Sequence, residues 1–134
     1  MRPSLDDVLL SVARVWSRRS TCSLLSVGAV LAIDSRTIST GYNGTAAGMP
    51  HCQHEPEDTR CPEAVHAEAN AIAFAARHGI ATSGAAAYVT HAPCVDCANL
   101  LINAGISRVV YGEHYKSTGG LVLLEEAGIR ALQL

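Results

Sequence analysis

The sequence predicts a three-layer α/β/α sandwich around a central five-stranded mixed sheet. Apolar segments with strand character alternate with helical segments, in the order α-β-β-α-β-α-β-α-β. Only the first two strands follow each other directly through a short turn, which predicts one antiparallel hairpin and a parallel second half. With 134 residues the chain suits one domain, which we expect to span residues 1–134.

The first half predicts a helix, a hairpin and a long loop. Apolar residues recur at helical spacing across 5–18. The continuous apolar run 24–33 indicates a buried strand, and 37–42 is the antiparallel return strand. Residues 44–63 then form a loop that is unusually long for a compact domain.

The second half alternates helices with short strands. Helices are predicted at 64–78, 93–104 and 121–127. Strands are predicted at 85–90, 106–111 and 129–132. Each helix is followed by a glycine, which suits a helix C-terminus. Pro93 is expected in the first turn of its helix, where the missing N–H costs nothing.

Composition excludes several functional classes. A net charge of −2 and a pI near 6.3 leave no surplus for a basic face, so we expect no nucleic-acid partner. The sequence shows no membrane-crossing apolar run and no signal peptide, so we expect a cytoplasmic protein without a membrane partner. Five cysteines in a reducing compartment favour metal binding or catalysis over disulfides.

Two short motifs carry the chemistry, HAE at 66–68 and PCVDC at 93–97. Together they match H-x-E…P-C-x-x-C, the pattern of zinc deaminases. The expected ligands of a catalytic zinc are His66, Cys94 and Cys97. Three protein ligands leave the fourth position of the metal to water. Glu68 is the expected general acid and base, because at a helix start it can face the same ion. A lone CxxC would also suit a redox or structural pair.

Further motifs make the chain resemble the deoxycytidylate (dCMP) deaminases of the cytidine deaminase-like superfamily. They are RSTC at 19–22, VGAV at 27–30, GYNG at 41–44, HAEANAI at 66–72, YVTHAPC at 88–94 and INAGI at 102–106. HAE and PCxxC occur throughout the superfamily, whereas RSTC, GYNG and VTHAPC are more specific. The resemblance extends from about residue 5 to about residue 130. It implies a zinc-dependent enzyme that hydrolyses dCMP to dUMP and ammonia.

The resemblance also implies roles around the zinc. Glu68 would carry a proton from the attacking water to N3 of the base and then help the amino group leave. The Ala67 backbone N–H would contact the base carbonyl and Asn43 the sugar hydroxyl, although Asn43 equally suits a turn. Candidates for the 5′-phosphate are Arg19, Ser20, Tyr115 and Lys116, of which the basic ones are also compatible with solvated surface charges. Thr21 would line the pocket, and His91 is not assigned as a ligand.

Three cysteines remain, Cys22, Cys52 and Cys61. They lie where relatives carry ligands of a second, structural zinc, and one histidine would complete a closed Cys₃His set. His54 is preferred to His51 because it lies inside the loop, and Glu63 is a weaker oxygen alternative. Such an ion would order the long loop. Three buried or free thiols are the alternative.

Regulation and alternative functions stay open at this point. Allosteric relatives bind dCTP or dTTP around the helix that here carries Phe74 and Arg77, and Mg²⁺ would accompany such a nucleotide. Helical spacing alone makes Phe74 a core residue and Arg77 a surface residue. Relatives are commonly hexamers. Alternative substrates are 5-substituted dCMP, free cytidine or deoxycytidine, and tRNA adenosine. A non-catalytic structural zinc protein is a further alternative, which Glu68 disfavours.

Overall fold

The computed structural model describes residues 1–134 and has four helices and five strands in the predicted order. The helices are α1 (Leu5–Ser17), α2 (Ala67–Arg77), α3 (Val95–Asn103) and α4 (Gly119–Glu126). The strands are β1 (Gly28–Ile33), β2 (Arg36–Tyr42), β3 (Ala86–His91), β4 (Arg108–Glu113) and β5 (Arg130–Gln133). They form one sheet in the order β2-β1-β3-β4-β5. β1 is antiparallel to β2 and β3, whereas β3, β4 and β5 are parallel, as predicted for a mixed sheet.

The sheet separates two apolar layers, because successive side chains of a strand point to opposite faces. On one face, α1 packs against side chains that include Val30, Tyr88 and Val110. On the other face, α2, α3 and α4 cover a larger core that includes Leu31 and Val89. The three-layer α/β/α prediction is confirmed. Each fully buried leucine or valine contributes about 2 kcal/mol of transfer free energy to this core.

Small residues bring the helices unusually close to the strands. A Cβ atom on Gly28 would collide with the carbonyl oxygen of Ala13 in α1. A Cβ atom on Gly41 would collide with the carbonyl oxygen of Ala67 at the start of α2. The start of α2 therefore packs directly on β2, and this contact fixes the position of residues 66–68.

Two predicted boundaries in the first half are wrong for the same reason. The first strand begins at Gly28 rather than at residue 24, and α2 begins at Ala67 rather than at residue 64. In each case the preceding backbone is hydrogen-bonded elsewhere. The N–H of Val27 donates to the side chain of Asn43, and Val65 pairs with Gly44 in an isolated bridge. Local propensity cannot reveal such long-range partners.

Two further expectations are corrected in the second half. Cys94 is the N-cap of α3, so Pro93 lies before the helix rather than in its first turn. Phe74 is 46% exposed on α2 and stacks on His78, so the assignment of Phe74 to the core is wrong. The later strands begin one or two residues after their predicted starts.

None of the four helices combines the length and the apolar character that a membrane span requires.

Candidate active site

The side chains of His66, Cys94 and Cys97 converge at the N-termini of α2 and α3. The ligand atoms of the three residues lie within 4.8 Å of one another. His66 Nδ1 is 3.5 Å from the sulfur of Cys94 and 3.4 Å from the sulfur of Cys97. The predicted catalytic trio is thus brought together by the fold.

Backbone geometry explains the convergence. His66 and Cys94 are the N-cap residues of their helices and both have extended backbone conformations, with φ near −70°. An N-cap side chain points past the end of the helix rather than along a helix face. The Cys97 N–H donates toward the Cys94 sulfur at 3.5 Å, which also closes the first turn of α3. From the other side, Gly120 of α4 packs so tightly that a Cβ atom there would collide with the Pro93 carbonyl.

Glu68 lies beside this cluster and is only 4% exposed. Burial raises the pKa of its carboxyl to about 7, although its own backbone N–H and the nearby His66 favour the ionised form. A carboxyl that takes up and releases a proton near neutral pH suits general acid and base catalysis. The separation of only two residues from His66 works here because both side chains lie at the helix start.

The donor set fits a zinc ion. Hydrogen bonding with Cys97 and with His66 lowers the pKa of the Cys94 thiol to about 4. The pKa of Cys97 is raised, because it lies against the Cys94 sulfur and is buried next to Glu68. Without a metal, ionisation of Cys94 therefore disfavours ionisation of Cys97. A divalent cation between the two sulfurs would stabilise both thiolates. One nitrogen and two sulfurs also match the ligand number of a catalytic zinc with an open position.

A second cluster joins three residues of the long loop to Cys22 of the RSTC segment. The ligand atoms of four residues lie within 4.8 Å of one another: Cys22, Cys52, His54 and Cys61. His54 Nε2 is 3.5 Å from the Cys22 sulfur, whereas His51 is exposed and outside the cluster. Burial and the neighbouring thiols raise the pKa of Cys52 to about 12. Burial also opposes ionisation of Cys22, but hydrogen bonds from Leu24 and His54 leave its pKa lowered.

The Asn43 side chain holds the backbone of the segment before β1 in place. Asn43 is 7% exposed, its Oδ1 accepts from the Val27 N–H at 2.9 Å, and its Nδ2 donates to the Leu25 carbonyl at 2.7 Å. The Asn43 carbonyl accepts from the Thr21 N–H. These bonds hold the RSTC segment against the end of β2. Contact between Asn43 and the sugar stays a prediction.

The other predicted substrate residues lie at three places. Arg19 is exposed after α1, and the Ser20 hydroxyl is engaged with backbone atoms of its own turn. Thr21 Oγ1 is buried next to Gly44 and has no hydrogen-bond partner. Ala67 is buried in the first turn of α2, where backbone N–H groups have no intrahelical acceptor.

Tyr115 and Lys116 follow β4. Burial and the charges of Cys94, Glu68 and Cys97 raise the pKa of Tyr115. The Lys116 ammonium donates to the Thr59 carbonyl at 2.6 Å, a partner that the sequence does not reveal.

His91 is not part of either cluster. Its Nδ1 is 2.8 Å from Thr90 Oγ1 and its Nε2 is 3.6 Å from the Glu113 carboxylate. Burial lowers the pKa of its ring, and the Glu113 charge opposes that shift. His91 thus joins the ends of β3 and β4.

These features define a class of protein. A three-layer α/β/α fold that presents one histidine, two cysteines and a buried glutamate at two helix N-termini is the arrangement of zinc-dependent deaminases.

Comparisons with known proteins identify the family within that class. A family model described as the cytidine and deoxycytidylate deaminase zinc-binding region matches residues 3–113. The chain is 41% identical, over 82% of its length, to the deoxycytidylate deaminase of Mycobacterium phage D29 and covers 95% of that protein. It is also 41% identical, over 99% of its length, to ComE operon protein 2 of Bacillus subtilis (strain 168) and covers 72% of it.

A solved structure gives the same result. The crystal structure of dCMP deaminase from the cyanophage S-TIM5, in complex with dCMP and dUMP, matches with a TM-score of 0.92 and 28% identity. The match covers 100% of this chain and 99% of that chain. The protein belongs to the cytidine and deoxycytidylate deaminase family.

Proposed function

We propose that the protein hydrolyses dCMP to dUMP and ammonia in a zinc-dependent reaction, with residues 1–134 acting as one deaminase domain. The observation that carries the proposal is the buried carboxylate of Glu68 beside the cluster of His66, Cys94 and Cys97. Supporting evidence for dCMP comes from the deoxycytidylate deaminase of phage D29 and from the cyanophage dCMP deaminase that holds dCMP and dUMP.

His66, Cys94 and Cys97 would hold the catalytic zinc. Zinc, when bound there, supplies Lewis acidity that makes a water molecule nucleophilic near neutral pH. The thiol of Cys94 has a lowered pKa and therefore loses its proton readily on metal binding. Glu68 is not a ligand in this proposal and stays available for proton transfer.

Glu68 would handle the protons of the reaction. It takes a proton from the attacking water and delivers it to N3 of the cytosine ring. After water has added at C4, Glu68 takes the remaining proton of the added hydroxyl and passes it to the amino group. The C4–N bond then breaks, ammonia leaves, and the C4 oxygen becomes the carbonyl of dUMP. The raised pKa of Glu68, about 7, makes both directions of transfer accessible near neutral pH.

Substrate contacts surround this centre. The Ala67 N–H lies next to Glu68 and is proposed to donate to the base carbonyl. Thr21 is proposed to donate its unpartnered hydroxyl to the nucleotide. Arg19, Ser20, Tyr115 and Lys116 are candidates for the 5′-phosphate. The Lys116 ammonium already has a partner in the Thr59 carbonyl, which favours a different role for this residue.

We also propose that a second, structural zinc occupies the loop cluster. Cys22, Cys52, His54 and Cys61 provide three sulfurs and one nitrogen, a closed set without room for a reacting water. Two of these cysteines, Cys22 and Cys52, are buried, and they lie in two different segments that are poor in regular structure. Metal binding would supply the order that the loop lacks from secondary structure.

We also propose a site for assembly and regulation on α2. Phe74 and Arg77 are both exposed on α2, so they are available for a contact with another copy of the chain or with a dCTP or dTTP effector accompanied by Mg²⁺. A hexamer is the assembly proposed from the family resemblance. The cytoplasmic location remains a prediction from the sequence.

A substrate panel tests the proposed function. Zinc-loaded protein is assayed for ammonia release from dCMP, dCTP, deoxycytidine and 5-methyl-dCMP, with and without dCTP and dTTP as effectors. The expected result is the highest kcat/KM for dCMP among the four. Deoxycytidine turnover equal to that of dCMP would show that the phosphate is not recognised. A 5-methyl-dCMP preference would move the substrate to a modified nucleotide.

A further inference from the structure

The sequence contains a single lysine, and its ammonium group spans two loops. Lys116 Nζ donates to the Thr59 carbonyl at 2.6 Å. Lys116 lies in the connection between β4 and α4, whereas Thr59 lies in the loop that carries the second cluster. The two residues are far apart in the chain, so the bond joins segments that no shared helix or strand connects.

Each end of this bond lies close to one of the two clusters. Thr59 is two residues before Cys61, a member of the second cluster. Lys116 lies four residues before Gly120, which packs directly against the backbone of Pro93 and Cys94 at the first cluster. A charged donor on a backbone carbonyl is among the stronger exposed hydrogen bonds. The bond from Lys116 to Thr59 therefore links the loop that carries Cys61 to the segment that packs against the turn of Cys94.

We propose that Lys116 is a positioning residue that holds the loop of residues 52–61 against the segment that carries Tyr115. In this role the lysine acts in the protein without substrate, and its partner is Thr59 rather than a phosphate group. A loop that is ordered by the second cluster would then also restrict the motion of the segment that carries Tyr115. The activity part of this inference rests on the proposed deamination of dCMP.

The test compares Lys116→Met, Lys116→Arg and a control, Arg36→Met. Arg36 is exposed at the start of β2, the end of the strand away from the site. Hydrogen exchange is followed in peptides that cover 53–61, in zinc-loaded protein without substrate. We expect roughly fivefold faster exchange in Lys116→Met, near wild-type exchange in Lys116→Arg, and no change in Arg36→Met. Unchanged exchange in Lys116→Met overturns the proposal.

Substrate kinetics add a second readout. A tether affects dCMP and deoxycytidine alike, so the ratio of their kcat/KM values should stay within about twofold of wild type in Lys116→Met. A phosphate ligand would instead lower that ratio about tenfold or more, and with unchanged loop exchange this result overturns the proposal. A wild-type protein that does not deaminate dCMP refutes the proposed function, while the exchange experiment still decides the role of Lys116.

A different observation supports a second inference, about the ring of His54. Its Nε2 faces the Cys22 sulfur at 3.5 Å, while its Nδ1 is 3.5 Å from Asp58 Oδ2. The His54 side chain is 6% exposed. The same Asp58 oxygen accepts from the Glu55 N–H at 2.9 Å, and the Asp58 N–H donates to the Glu55 carbonyl at 3.0 Å. The turn from Glu55 to Asp58 thus holds the Asp58 carboxylate in place beside the His54 ring.

We infer that Asp58 orients His54 for metal binding. A carboxylate at Nδ1 keeps the proton on that nitrogen and leaves the lone pair of Nε2 directed at the sulfurs. This inference rests on the proposed second zinc. Asp58 is not itself a ligand, because its oxygen faces the far side of the ring.

Zinc release tests this role. Asp58→Ala, Asp58→Asn and the neighbouring control Glu57→Gln are loaded with zinc and mixed with a chromogenic chelator. We expect the second zinc to leave about tenfold faster from Asp58→Ala, and more slowly from Asp58→Asn because its amide oxygen can still accept. Release from Asp58→Ala at the wild-type rate overturns the inference. A wild-type chain that binds one zinc overturns the second site and with it the role of Asp58.

Discussion

The two clusters use similar side chains in opposite settings. The catalytic cluster takes its three side chains from the caps and first turn of two helices that pack on a sheet. The loop cluster takes all four from irregular segments that lie far apart in the chain. In the proposed catalytic site the fold already places the residues, so three ligands and a free carboxylate would suffice for the reaction. In the proposed structural site the backbone has no regular structure, and a fourth ligand would close the set.

The comparison also separates what each site needs from a metal. At the first cluster, α2 and α3 are held by the sheet, so the site should keep its shape when the ion is removed. At the second cluster the ion itself would define the loop. Loss of metal from the first cluster should therefore abolish activity, whereas loss of metal from the second cluster should disorder the loop.

The largest expected effect concerns Glu68. Glu68→Gln keeps the size of the side chain but cannot take a proton, so kcat should fall by about 10²- to 10⁴-fold. The zinc content should stay unchanged, because Glu68 is not a ligand. Steady-state kinetics and metal analysis on the same sample check this expectation. Substantial activity in the variant, or loss of zinc, would contradict the assigned role.

The next effect concerns the loop cluster. A double variant, Cys52→Ser/Cys61→Ser, should contain one zinc per chain and lose at least about 2 kcal/mol of stability, or roughly 5–10 °C in Tm. Calorimetry and metal analysis measure both quantities. Cys94→Ser is the matched control, since it should also lose one zinc but with a smaller change in Tm. A double variant that retains two zinc ions would refute the second site.

A smaller effect is expected for Asn43, which joins the end of β2 to the segment before β1. Asn43→Ala leaves the Val27 N–H and the Leu25 carbonyl without their side-chain partner, which should cost about 2 kcal/mol. Chemical denaturation measures this loss. A normal stability with a raised KM for dCMP would instead assign Asn43 to the sugar.

The smallest effect lies outside both clusters, where α1 is fastened to the sheet. Arg108 donates to both carboxylate oxygens of Asp6 at 2.8 Å, and the Tyr88 hydroxyl donates to Asp6 at 2.8 Å. The Arg108 hydrogen bonds hold the pKa of Asp6 below its ordinary value, against an opposing effect of burial. Solvent screens this partly exposed pair, so Asp6→Asn should cost about 1 kcal/mol or less at neutral pH.

The pH dependence of that difference has a definite sign. A lowered folded-state pKa gives stability that is complete above the ordinary Asp pKa of 3.8 and is lost as the pH falls through the folded value. The Tm difference between wild type and Asp6→Asn should therefore be constant from neutral pH down to about 5 and shrink below about 4. A difference that grows toward acid pH would contradict this assignment.

Much of this molecule is predictable because its signals are local. The element order and the mixed sheet follow from apolar patterning, and the two clusters follow from motif spacing and family resemblance. Boundaries fail where a distant partner occupies the backbone, as Asn43 does for Val27 and Gly44 does for Val65. Phe74 is misassigned because helical spacing cannot tell which side of α2 the sheet covers.

The supporting contacts were not predictable from sequence. Asp58 and Lys116 look like ordinary surface charges in the chain, and only the folded loop shows that each has a defined partner. Asp6 and Arg108 are separated by most of the sequence, so no local pattern links them. Charges that interact through tertiary structure leave no periodic signal.

The glycine at position 120 offers a way to alter the metal site without changing any ligand. Its missing side chain lets α4 rest directly on the carbonyl of Pro93, one residue before Cys94. An alanine there would push the turn that carries the two cysteines while leaving their chemistry intact. Substitution at position 120 could therefore be used in protein engineering to change the distance between the cysteines and His66.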